Sequence, residues 1–507
     1  MRKPLKTAVV MIHGMGEQWP METLRGFVEA AWTSDPDLVI PGLDDAIYSK
    51  PDAITGSFEL RRITTREWIG AKKRRVDFFE FYWAHLMEGN TLSAVIGWLL
   101  RLLIRRRERV PDRLVGGWIA GLALLAAAGI FALLTAFKWA PSGQWWGLAW
   151  AAVGIAAPLL VANWLVPVVG DAARYLSPSP GNVEVRQKIR EAGIDLLTKL
   201  HASGDYDRIV VVGHSLGGVV GFDVLNYAWG RIAHQDLAAG HAAASPAMAR
   251  LDDLEDAARA LILPKPAKGA LAVFQNAQRA YFEELSKLKT AEAQAPLWLV
   301  SDYVTLGCPL SSSDVLLARD AADLKAKKTM RDVPTSPPWL EEEPGKPASL
   351  SYPAGAAART PHHAAVFAPT VWTNVFFPSR YGVQGDFISG PVSSQLGPGV
   401  RDVRVPIGEP RFRHLDYWRD PLRNAPWIRA LRRGINLRGR DDVAVWGDQL
   451  DANPVPAERL PSTVAPPARE AARGSPKRAS TPSQPLRHAP VGSAAARRRG
   501  QTPTTRS

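Results

Sequence analysis

Arg208-Ile209-Val210-Val211-Val212-Gly213-His214-Ser215-Leu216-Gly217-Gly218-Val219-Val220-Gly221 carries three consecutive structural signals. An unbroken β-branched run behind an arginine reads as a strand buried on both faces, here 208–212. Gly-X-Ser-X-Gly follows, and an apolar run then opens a helix over 216–228. A serine between these elements sits in a sharp turn, where a side chain on Gly213 or Gly217 would clash and where His214 precedes the reactive position. The turn brings the serine Oγ to the edge of the sheet. It also aims the helix N-terminus at the same point, where developing negative charge is favoured. Ser215 is therefore the candidate nucleophile.

Outward from this point the chain alternates strands and helices. Strands are predicted at 8–12, 76–83, 208–212, 297–306, 371–377 and 402–406, and helices at 183–200, 216–228 and 274–289. The alternation implies an α/β fold, a mostly parallel sheet flanked by helices. Two uncharged stretches, 114–137 and 139–170, interrupt it. Each exceeds the roughly 20 residues a helix needs to cross a bilayer. Trp139, Trp145 and Trp146 flank the break at Pro141-Ser142-Gly143, and Trp118 and Trp164 lie towards the outer ends. The segment 114–170 reads as an inserted two-helix transmembrane hairpin, against the alternative of two buried core helices. Arg101, Arg105, Arg106, Arg107 and Arg109 precede it and Arg174 follows, whereas the turn carries only Lys138. Both ends, and so both termini and the catalytic part, are expected on the cytoplasmic side. The apolar and basic segment 92–113 is expected to lie along the interface.

The net charge of +13 is concentrated in this arginine cluster and in the C-terminal segment 453–507, which is rich in Pro, Ala, Ser, Thr and Arg and reads as a disordered basic tail. Neither forms a nucleic-acid-binding motif, so attraction to an anionic membrane surface is the simpler expectation. One cysteine, Cys308, precludes an intrachain disulfide, and at a strand end with no histidine beside it in sequence it reads as a buried structural thiol. No group of residues has metal-ligand spacing, and no cofactor is called for.

With the strand–elbow–helix at its centre, the sequence resembles the α/β-hydrolase superfamily, particularly lipase-like and esterase-like members, over roughly 1–90 and 175–440. Val10-Met11-Ile12-His13-Gly14-Met15-Gly16 resembles the turn that supplies one oxyanion-hole amide in these enzymes. The resemblance implies Met15 and Leu216 as the two amide donors, with His13 and Gly14 shaping the turn. No Gly-Lys-Ser/Thr follows it, as a phosphate loop would require. The family order is Ser, acid, His. His414 is the candidate base, in Arg411-Phe412-Arg413-His414-Leu415-Asp416-Tyr417-Trp418 shortly past the last strand. For the acid, Asp386 follows the 371–377 strand, Asp314 is its rival, and Asp416 is a further alternative.

The domain reading is thus a hydrolase part in two pieces, 1–91 and 175–440, with a cap expected at 232–295. The expected activity is cleavage of carboxylic esters through an acyl-enzyme, with lipid or acylated substrates favoured by the membrane anchor. A catalytically inactive membrane scaffold or partner-binding protein, and an acyltransferase using the same triad, are the alternatives.

Overall fold

The computed structural model describes residues 5–16, 19–35, 38, 47–57, 59–66, 74–87, 92–110, parts of 115–130, 166–177, 180–240, 245–353, 359–380, 384–419 and 424–437. Eight strands form one sheet: β1 (Leu5–Ile12), β2 (Ile47–Pro51), β3 (Arg61–Thr65), β4 (Arg74–Phe81), β5 (Arg208–His214), β6 (Val300–Leu306), β7 (Val371–Phe376) and β8 (Arg401–Arg404). Their spatial order is β2-β3-β4-β1-β5-β6-β7-β8. The strands from β4 to β8 pair in parallel, whereas β3 is antiparallel to both β2 and β4.

Alternation along the central strands sorts the core into two layers. Val10, Ile12, Val211, Tyr303 and Trp372 face one way, and Val9, Met11, Val210, Val212, Val304 and Val375 face the other. Both faces are apolar because helices cover both. The principal helices are α1 (Glu22–Val28), α2 (Leu92–Leu103), α3 (Val166–Leu176), α4 (Val183–Ala202), α5 (Leu216–Trp229), α6 (Ala247–Leu261), α7 (Ala270–Leu285), α8 (Ala321–Thr329) and α9 (Pro426–Ile435). From β1 the chain runs out to the edge strand β2, returns through β3 to β4 beside β1, and then crosses to add β5 to β8 on the other side. The C-terminal ends of β1 and β5 therefore flank a topological switch point, where open α/β sheets bind ligands.

The mostly parallel sheet flanked by helices is as expected, with differences at its edge. β2 and β3 were not expected. β2 is mostly exposed and ends at Pro51, and β3 opens with two arginines before the buried Ile63, Thr64 and Thr65, so neither shows the continuous apolar run of a central strand. Among the described residues no helix is long and apolar enough to cross a membrane. The expected hairpin over 114–170 lies largely outside the described residues, and the tail at 453–507 wholly so. In the expected interfacial segment, 92–113, α2 is followed by a basic turn that docks on the body. Arg105 donates to the Val315 carbonyl at 3.2 Å, and Arg109 pairs with Asp320 at 3.5 Å.

The segment 232–295, expected as a cap, forms α6 and α7. On α7, Gln278 donates to the Phe367 and Thr370 carbonyls, Arg279 pairs with Asp302 at 3.1 Å, and Gln275 accepts from Arg401. These anchors lie at the starts of β6, β7 and β8, the sheet edge opposite Ser215.

Candidate active site

At the end of β5 the backbone turns into α5 through Ser215, whose φ of 52° and ψ of −125° are strained for a residue with a side chain. Neighbouring backbone holds it there. The Ser215 N–H donates to the Leu306 carbonyl of β6 at 2.9 Å, and the Ser215 carbonyl accepts from Gly218 N–H at 3.0 Å. A Cβ on Gly213 would stand 2.6 Å from the Gly218 Cα, and one on Gly217 would overlap the carbonyl oxygens of Ile12 and His13. The glycines are thus required by close approach, one within the elbow and one between the elbow and β1.

The turn after β1 lies directly against the serine. A Cβ on Gly14 would meet Ser215 Cβ and His214 Nδ1, both at 3.0 Å. His13 locks this turn. Its Nε2 accepts from the Trp83 N–H at 3.2 Å, which leaves the ring proton on Nδ1 to donate to the Gly14 carbonyl at 2.8 Å. The Trp83 indole stacks on the imidazole and donates to the His13 carbonyl at 3.1 Å. Burial pushes the His13 pKa down to about 4, so the ring stays neutral. On the far side, Gly16 N–H donates to Asp171 of α3 at 2.9 Å. Leu216 opens α5, among the first N–H groups that a helix leaves without an internal acceptor.

Two loops bring the remaining groups to the serine. His414 Nε2 lies 2.8 Å from Ser215 Oγ, and its Nδ1 lies 2.9 Å from Asp386 Oδ2. Asp386 follows β7 and His414 follows β8. A bridge ties their loops together, with Gly385 N–H donating to the Arg411 carbonyl and Arg413 N–H to that of Gly385. The His214 ring reaches from the elbow to the His414 carbonyl at 2.8 Å, so one imidazole fixes the backbone of the other. Burial, together with the nearby His414, pushes the His214 pKa down to about 3.

Asp386 is fully buried, which by itself would raise its pKa. Donors from His414, Tyr417 and Ser389 outweigh this and hold the carboxyl below its ordinary value. Tyr417 and Ser389 both donate to Oδ2 at 2.8 Å, and Ile388 N–H donates to Oδ1 at 3.0 Å. The chain Asp386–His414–Ser215 can therefore hold an anion behind an imidazole whose other nitrogen faces a hydroxyl, the arrangement that activates a nucleophile.

Of the alternative acids, neither faces the imidazole Nδ1. Asp314 is buried among Arg105 and Lys328, and Asp416 pairs with Arg411 at 2.9 Å and Arg413 at 3.1 Å. Cys308 is buried, its thiol pushed up to about 12 by burial, and its sulfur occupies the space a side chain on Gly218 would need. Among the described residues no group of three or more His, Cys, Asp or Glu side chains could hold a metal ion.

Sequence reasoning missed several supporting groups. Tyr417 and Ser389 were not assigned to the carboxylate, nor Trp83 and Asp171 to the turn. Asn374 and Asp402 pin the loop after Asp386: Asn374 donates to the Gly390 carbonyl at 2.9 Å, and Asp402 accepts from the Val392 and Ser393 N–H groups. Signals existed for Asp171, as the first charge after the long uncharged run, and for Tyr417, in the His-X-X-Tyr-Trp grouping that His414 opens. Comparison of the chain with protein-family models, curated proteins and solved structures returned no match.

Proposed function

We propose that this chain is a serine hydrolase of the α/β-hydrolase type that cleaves carboxylic esters through an acyl-enzyme. The observation that carries the reading is the single imidazole of His414 bridging Ser215 Oγ and Asp386 Oδ2 at 2.8 and 2.9 Å. Ser215 Oγ attacks the ester carbonyl while His414 Nε2 takes its proton. Asp386 stabilises the resulting imidazolium and keeps the Nδ1 proton in place. The amides of Leu216 and Met15 receive the oxyanion, and in such sites losing one donor costs about 10²–10³ in rate. His414 next returns the proton to the leaving alkoxide. It then activates a water that releases the acyl group.

The membrane part of the proposal rests on sequence. The uncharged stretches within 114–170 span the bilayer as a hairpin, with the catalytic body on the cytoplasmic side, and favour a lipid or acylated substrate. Labelling by a fluorophosphonate probe in membranes tests the chemistry. Wild-type protein is expected to label, and Ser215→Ala and His414→Ala to lose labelling. Folded wild-type protein that fails to label would overturn the proposal.

A further inference from the structure

Three large apolar side chains stand in solvent beside the catalytic histidine. Phe387, next to Asp386, is 56% exposed, Phe412 is 42% exposed and Leu415, next to His414, is 51% exposed. The Phe387 and Phe412 rings stack at 5.0 Å, and Phe412 stacks on His414 at 5.8 Å. A contiguous patch of exposed apolar side chains rimming a polar site marks a surface that something apolar covers.

Charge and connectivity indicate the cover. Among the described residues of 378–419, the exposed charges are Arg380, Arg404, Arg411 and Arg419 against Glu409 alone. An apolar rim set in basic surroundings fits an anionic lipid interface. The uncharged segment that begins at 114 is also anchored at this same edge of the sheet. Before it, the chain passes through Trp83, stacked on His13; after it, α3 supplies Asp171 to Gly16. The flank after the segment thus reaches the turn beside Ser215, the residues directly before it dock through Arg105 and Arg109 on the stretch after β6, and α2 and α3 pack against each other.

We infer that the C-terminal edge of the sheet faces the bilayer, with Phe387, Phe412 and Leu415 inserted in its interface, so that Ser215 draws its acyl substrate from the membrane. This inference rests on the membrane anchor proposed above.

The test uses the full chain in nanodiscs of phosphatidylcholine and phosphatidylglycerol. Cys308 is fully buried and its thiol is pushed up to about 12, so an introduced surface cysteine takes a fluorophore selectively. Phe387→Cys, Leu415→Cys and Ala202→Cys, the last at the opposite edge, are each labelled with NBD. Insertion to about 5–10 Å should let shallow doxyl-labelled phosphatidylcholine quench positions 387 and 415 about threefold more than position 202. Equal quenching at all three positions would overturn the inference. So would a blue shift at 387 and 415 without lipid quenching, which would place a second copy of the chain on the rim. Fluorophosphonate labelling of the wild-type and Ala202→Cys proteins in the same discs separates the two readings. Labelling without quenching removes the bilayer-facing rim and leaves the hydrolase; quenching without labelling does the reverse.

Discussion

Replacing Asp386 with asparagine probes how the triad is held, because the surroundings of the carboxylate dictate how the amide must sit. Three donors converge on Oδ2, from His414, Tyr417 and Ser389, and one reaches Oδ1, from Ile388 N–H. With its carbonyl at the Oδ2 position, asparagine keeps all three and conflicts with Ile388 alone. In the flipped orientation its NH2 faces His414 Nδ1, forcing the proton to Nε2 and requiring both hydroxyls to reverse. The first orientation should win, so His414 keeps the tautomer a base needs and loses only the charge behind it. A hydrogen bond to a charged group is worth about 1.5–3 kcal/mol, which converts to roughly 10–100-fold in rate. A wrong tautomer would instead cost about 10⁴-fold, as in the serine-protease triad. The assay is the second-order rate constant for fluorophosphonate labelling of Asp386→Asn against wild type. Asp314→Asn is the control, expected to label within about twofold because that carboxylate does not face the imidazole. A loss of 10⁴-fold in Asp386→Asn would refute the orientation argument, and an equal loss in Asp314→Asn would refute the assignment of the acid.

Two further outcomes follow from the packing and the buried histidines. Gly217→Ala should destabilise by about 3 kcal/mol and abolish labelling, since its methyl would overlap two backbone carbonyls of the β1 end; Gly230→Ala, where a methyl meets nothing within 4 Å, should be near neutral, and thermal unfolding compares them. Stability should also fall as pH drops from about 6.5 towards 4, because His13, His201 and His214 are buried neutral, with pKa values lowered to about 4, 4 and 3, and the unfolded chain binds protons that the fold excludes. Each contributes up to about 1.4 kcal/mol per pH unit across that window, and a flat unfolding midpoint between pH 7 and 5 would contradict their burial as neutral rings.

What could be read without a structure was local. The β5–Ser215–α5 elbow is dictated by sterics within a few residues, so its glycines and apolar run announce it directly. The same holds for the turn at 13–16 and for the central strands, whose burial on both faces leaves a continuous apolar signature. The order of chain elements also narrowed the base to His414, because few histidines lie past the last strands. The acid was different. Asp314, Asp386 and Asp416 all follow strands or loops of plausible position, and only the pairing of Gly385 with Phe412 brings one of them to Nδ1 of His414. Tyr417, Ser389, Trp83 and Asp171 act through contacts made across up to 155 positions of sequence, as between Gly16 and Asp171. The strands β2 and β3 were invisible for a related reason: a short strand of mostly polar residues takes its identity from the neighbours it pairs with. Periodicity and sterics travel along the chain and can be read there, whereas the partner of a buried polar group is set by which loops the sheet topology delivers to the same edge.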